Sequence, residues 1–173
     1  ASHLAVCVAS LQDVKLFNSN LDVVDDAFEY LMSKSQKGEK GQYFTPRYVI
    51  DMCVKMLNPK EDEYMIDTAA GSCGFPVHTM FHVWKQILDR LGIKQSHLFS
   101  SEKKPPECEE YVREHVFAID FDTKAVRVAR TLNLIAGDGR TNVMHLNTLD
   151  YDRWDDFTKD EDWEDIYHDG WKG

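Results

Sequence analysis

The chain has no cysteine pair at C-x-x-C spacing: Cys7, Cys53, Cys73 and Cys108 lie far apart, and no histidines stand beside them at zinc-ligand spacing. That speaks against a zinc module and a disulfide scaffold, so free thiols and no metal are expected. Long apolar runs are missing too. Each is interrupted by charge well short of the ~20 residues a membrane-spanning helix needs. The N-terminus has neither the basic start nor the long apolar block of a secretion signal, so a soluble, cytoplasmic protein with no membrane partner is expected. A basic excess is also absent, with 20 Lys and Arg against 30 Asp and Glu and a formal net charge of −10. Residues 150–173 hold ten acidic and three basic residues, and so seven of the ten net charges. Acidic surface repels phosphate, and the chain by itself shows no electrostatic footprint of a nucleic-acid-binding module. Beyond that tail there is no internal repeat or low-complexity tract.

What is present suits one domain: 173 residues, 43% of them hydrophobic and 12% aromatic, are enough for a real core. Leu4, Val8 and Leu11, and then Val24, Phe28 and Leu31, fall at helical spacing and predict an amphipathic lead-in. A polar loop from Ser33 to Gly41 follows. Thr45 is expected to cap a helix with Pro46 at its first position, and Val49, Met52, Cys53, Met56 and Leu57 are expected to form its core stripe. Tyr64, Met65 and Ile66 read as a buried strand ending at Asp67. A small-residue turn then opens a long helix with Val77, Met80, Phe81, Trp84, Leu88 and Leu91 on one face, closing at Gly92. Residues 93–114, with Pro105-Pro106, are expected to be an exposed connection.

Val116 to Ile119 predict a second strand ending at Asp120. Asp122 is expected to cap a helix carrying Ala125, Val128, Ala129 and Leu132, which Gly137-Asp138-Gly139 breaks. Val143 to Leu146 predict a third strand ending at Asn147. Strands alternating with helices, each strand finishing in a polar residue, describe a parallel α/β sheet whose ligand edge lies at the strand C-termini.

Two segments carry the chemistry. Gln42-Tyr43-Phe44-Thr45-Pro46-Arg47 precedes the first strand, and Asp67-Thr68-Ala69-Ala70-Gly71-Ser72-Cys73-Gly74-Phe75 follows it. A strand ending in a carboxylate, then a small-residue turn into a helix, is how α/β folds present backbone amides to a nucleotide-like ligand. In this order the pair resembles the DNA adenine-N6 methyltransferases, and most closely the modification subunit of type I restriction-modification systems. That family has Q-[FY]-[FY]-T-P-R before D-P-x-x-G-[ST]-x-G-F, and only Thr68, where the family usually has proline, departs from it. The resemblance covers about residues 25–150.

The resemblance implies an incomplete, three-layer, mostly parallel Rossmann-like methyltransferase fold with S-adenosylmethionine as cofactor. The expected division is a helical flank (1–40), the cofactor-binding part (41–150) and an acidic, aromatic extension (151–173). Gln42 to Arg47 would fold over the methionine end of the cofactor, with Tyr43 and Phe44 as apolar walls and Thr45 offering a hydroxyl. Asp67 would order the turn or approach the ammonium, while Gly71 and Gly74 admit close backbone approach beside Ser72. Cys73, where many relatives have glycine or alanine, reads as a small filler residue and not a nucleophile.

Asp120 stands where doubly wound folds place the acid that accepts from ribose hydroxyls, a position usually glutamate in the family; the alternative is a helix-capping or loop carboxylate. It lies 46 residues after Gly74, against about 20 in a simple dinucleotide fold, which disfavours a nicotinamide enzyme. Asn147 would meet the adenine ring or cap a loop.

The family's catalytic [DN]-P-P-[FY] segment, which grips the flipped adenine, occurs nowhere in 1–173. The chain alone is therefore expected not to methylate. In the complete protein the implied partners are DNA, a specificity subunit and a nuclease-translocase subunit. The competing readings are a methyltransferase for RNA, protein or a small molecule, and a non-catalytic, cofactor-binding scaffold.

Overall fold

The computed structural model describes residues 45–95, 104–136 (134–136 as backbone) and 142–150, together with Ala9. The expected lead-in helices, the Gly137-Asp138-Gly139 break and the acidic tail lie outside these residues. Among the described residues from 45 on, four helices and three strands follow in order: α1 (Arg47–Leu57), β1 (Met65–Asp67), α2 (Gly74–Leu91), α3 (Pro106–His115), β2 (Val116–Asp120), α4 (Thr123–Ala136) and β3 (Val143–His145). The strands form one parallel sheet in the order β1-β2-β3, with Met65 opposite Val116 and Ala118 opposite Val143.

Two right-handed crossovers moving in the same direction across a sheet place their helices on one face. The core agrees. Val116, Ala118 and Val143 turn one way, onto Val77, Met80, Trp84 and Leu88 of α2, Tyr111 and Val112 of α3, and Val126 and Ala129 of α4. The alternate residues Ile119 and Met144 turn the other way, with Leu146 and the half-buried Ile66 and Phe117. Among the described residues the sheet thus has one helical layer and a smaller apolar cluster behind it.

Tyr64, expected in a buried first strand, is 65% exposed just before β1, whose three residues are half-buried. Two further elements differ from the sequence expectation. The first is the stretch before β2. Residues 106–115 are a helix, with Pro105 extended, Pro106 in the first turn, Glu107 and Glu109 at the positive end of the dipole and Arg113 and His115 in the last turn. Cys108, Tyr111 and Val112 are buried at i, i+3 and i+4. The buried Trp84 indole donates to the Cys108 carbonyl at 2.6 Å, and Lys104, nearly buried, lies with its ammonium 4.4 Å from the centre of the Trp84 ring. The Asn142 amide then donates to the carbonyls of Val112 (3.1 Å), Arg113 (2.8 Å) and Val116 (3.0 Å), joining the end of α3 to the start of β2. The charged residues that suggest a loop are only the outer face of this helix.

The second is α1. Ile50 and Val54 are the buried pair, with Val49 and Cys53 half-buried, whereas Met52, Met56 and Leu57 are 53%, 77% and 81% exposed. The helix is rolled by about one residue from the expected stripe. Apart from its first residue only Asp51 and Lys55 are charged, and they pair at 2.7 Å on the surface, so apolar spacing could not choose the face. Its start also moves: Pro46, with ψ 141°, is the N-cap in place of Thr45, and its carbonyl accepts from Val49 (3.0 Å) and Ile50 (3.2 Å).

The far end of α1 decides its seat. Asn58 takes the left-handed conformation (φ 48°), which asparagine tolerates. Its Oδ1 lies 3.0 Å from His82 Nε2 and accepts from Gln86 Nε2 at 3.2 Å, while Gln86 also donates to the Pro59 carbonyl at 3.0 Å. Partial burial, then the ammoniums of Lys60 and Lys85, hold the His82 pKa below its ordinary value.

Candidate functional site

The C-terminal ends of the strands carry the candidate residues. β1 ends at Asp67, and the chain turns through residues 68–73 into α2. Two residues in that turn have positive φ: Gly71 (55°) and Cys73 (64°). Glycine meets that requirement without strain. Cys73 meets it as the N-cap of α2, fully buried against the core. Gly74 begins the helix and is buried, and Ser72 is buried beside it.

The turn is braced from β2. Ala70 N–H donates to the Ile119 carbonyl at 2.9 Å, and Gly71 N–H donates to Asp120 Oδ2 at 2.7 Å. The other oxygen of Asp120 accepts the N–H of Asp122 at 2.7 Å. A hydrogen bond to a charged group contributes about 1.5–3 kcal/mol, so this carboxylate holds two loops in place without any ligand. Helix capping falls instead to Asp122, whose Oδ1 accepts Lys124 N–H at 2.7 Å.

Asp67 Oδ1 accepts Ala69 N–H at 3.1 Å. Burial pushes its pKa up, the Ala69 bond opposes this, and the Asp120 charge adds to the rise. A cation beside Asp67 would favour its ionised form.

The third loop closes over the same edge. Thr148 Oγ1 donates to the Thr68 carbonyl at 2.6 Å, across 80 residues of sequence. Asn147 Oδ1 accepts Leu149 N–H at 3.1 Å, a local turn bond in keeping with the loop-capping alternative. Phe121, directly after Asp120, is 72% exposed. Thr148 and Phe121 carry no signal of their own in the sequence; only the position of Phe121 next to a strand-ending acid could have drawn notice.

Of the first motif, Gln42, Tyr43 and Phe44 lie outside the described residues. Thr45 and Pro46 are exposed and Arg47 is half-buried at the head of α1, and the hydrogen bonds that join the three loops involve neither Thr45 nor Pro46. A cavity of about 690 Å³ runs along the open side of β1, between Val54 and Leu57 of α1, Phe75 and Thr79 of α2, and Tyr64 to Thr68. It reaches Asp67 but not Gly71 or Asp120. No group of three or more His, Cys, Asp or Glu able to hold a metal ion exists among the described residues. No described helix is long and apolar enough to cross a membrane.

The N-6 DNA methylase family model matches residues 19–166. The chain belongs to the N-6 DNA methylase family. Among curated relatives, this family member is 32% identical over 93 residues to the type I restriction enzyme StySPI methylase subunit of Salmonella potsdam, covering 50% of this chain and 18% of that protein. It is 37% identical over 71 residues to the type I restriction enzyme EcoKI methylase subunit of Escherichia coli K12, covering 39% and 13%. With the type II restriction enzyme and methyltransferase RM.BcgI of Heyndrickxia coagulans it shares 22% identity over 149 residues, 83% and 21% of the two chains. A solved modification subunit from Vibrio vulnificus YJ016 superposes with a TM-score of 0.52 at 22% identity, over 70% of this chain and 22% of that one. That likeness confirms the fold: an incomplete α/β methyltransferase fold around a parallel sheet. This N-6 DNA methylase chain spans about a fifth or less of the curated relatives.

Proposed function

We propose that the chain is the cofactor-binding part of a type I restriction-modification methylase subunit, whose reaction moves the methyl group of S-adenosylmethionine to adenine N6 in DNA. The observation that carries this reading is the bond from Gly71 N–H to Asp120 Oδ2 at 2.7 Å, which sets the small-residue turn against the acid of the next strand. The donor set suits the cofactor. An ammonium would sit by Asp67, whose charge is uncomfortable as it stands; ribose hydroxyls would donate to Asp120, whose oxygens have further lone pairs; and the exposed ring of Phe121 would support the adenine. Asn147 stands at the same edge and would meet the base from the third strand. Gln42 to Arg47 would close the methionine end, and Ser72, Cys73 and Gly74 shape the turn beneath it.

The bound cofactor would supply an electrophilic methyl group, and the chain's residues would bind and orient it, with no metal. The adenine grip of the [DN]-P-P-[FY] type is not within residues 1–173, so these residues serve the donor side of the reaction. In the whole protein, DNA, a specificity subunit and a restriction (nuclease-translocase) subunit are the partners we assign, in the cytoplasm.

Isothermal titration with S-adenosylmethionine tests the reading. Asp120→Ala is expected to weaken binding by about 1–3 kcal/mol, the cost of leaving polar groups without partners. Asp120→Asn, which keeps one acceptor for the loops, separates lost ligand contacts from a disturbed turn. Unchanged affinity in both variants would place the ribose elsewhere.

A further inference from the structure

A single exposed phenylalanine is ordinary on a protein surface. Phe121 is set apart by how its backbone is held. On its N-terminal side, Asp120 ties back to Asp122 N–H at 2.7 Å; on its C-terminal side, Asp122 caps α4 through Lys124 N–H at 2.7 Å. The carbonyl of Phe121 itself lies 2.9 Å from His145 Nε2. A carbonyl only accepts, so that ring nitrogen carries a hydrogen and donates it. The same nitrogen is 3.3 Å from Thr123 Oγ1, and the imidazole is tilted 35° to the Phe121 ring with centroids 6.5 Å apart.

His145 is the last residue of β3 and stands opposite Asp120 in the sheet register. Val143 and Met144 bury the strand, whereas His145 faces solvent and adds nothing to the core. Its contribution is the brace: a side chain from the third strand fixes the corner that presents the aromatic ring after the second. We propose that His145 is a positioning residue for the methyl donor, holding the Phe121 carbonyl so that the phenyl ring stays in place as the platform for the cofactor's adenine. This rests on the cofactor reading given above.

Two measurements on the chain decide it. In calorimetry with S-adenosylmethionine, Phe121→Ala should weaken binding about tenfold, within the lower half of what an aromatic platform contributes to a stacked base. His145→Ala should weaken it about fivefold, one hydrogen bond's net effect, and His145→Gln, which can place an N–H near the Nε2 position, should recover it to within about twofold. In the ligand-free chain carrying 4-fluorophenylalanine at position 121, the fluorine resonance should shift toward that of the free amino acid in His145→Ala and return in His145→Gln. Weakening by Phe121→Ala with no effect of His145→Ala, or a fluorine signal that ignores His145, overturns the inference while the cofactor reading stands. Normal binding by Phe121→Ala removes the platform and the inference with it. A wild-type chain that takes up no cofactor sinks the functional reading and this inference together.

Discussion

Asp67 shows how much a single carboxylate reports. Its pKa is raised by burial and by the Asp120 charge, so the folded chain holds that proton more tightly than the unfolded one. Ionising it therefore costs stability as pH rises through the window that opens at 3.8. Asp67→Asn removes this cost. Thermal melts should show a higher Tm than wild type at pH 7, with the gap closing as the pH falls toward 3.8. Binding should move the opposite way, because a cofactor ammonium favours the ionised carboxylate: wild-type affinity should climb with pH through the same window while that of Asp67→Asn stays level. A Tm gap independent of pH would mean the charge is not buried as described. The filler reading of Cys73 came from the sequence, which places no histidine or second cysteine beside it. Its left-handed backbone did not, because φ there follows from how the turn closes onto β2 through Ala70 and Gly71.

At the scale of elements, α1 and α3 mark the limit of periodicity. Spacing located both ends of α2 to within a few residues because Gly92 caps it and the apolar positions are separated by polar ones. In α1 apolar residues surround the axis, and the hydrogen bonds of Asn58 with His82 and Gln86 choose which of them meet α2. The choice is testable by chemical denaturation. Val54→Ala should cost about 1–3 kcal/mol, in line with deleting buried methyl groups, and Met56→Ala, 77% exposed, should stay within about 0.5 kcal/mol. Equal losses would put the helix back on the expected face. α3 was hidden because seven of its ten residues are polar or proline, and its three buried side chains make a signal too short to outweigh charge.

At the scale of the molecule, the described residues form a sheet with β2 at its centre, bonded on both sides, and one helical layer. Ile119 is fully buried and Ala118 nearly so, and β2 pairs with both neighbours. In hydrogen exchange the amides of β2 should be the slowest of the three strands, with β1, open on its cavity side, clearly faster; comparable rates would mean that β1's free side is covered in solution.

The order of strands and helices, the three polar strand ends and the small-residue turn were all readable along the chain, because alternation, spacing and glycine act locally. The sequence alone thus determined the α/β class and named Asp67, Gly71 and Asp120 as candidates. Only the tertiary structure decided that Asp120 grips Gly71, that Thr148 reaches Thr68, that His145 braces Phe121 and that α1 is rolled on its axis. Each of those depends on groups separated by about twenty to eighty residues, and a contact of that kind leaves no periodic trace in the chain that makes it.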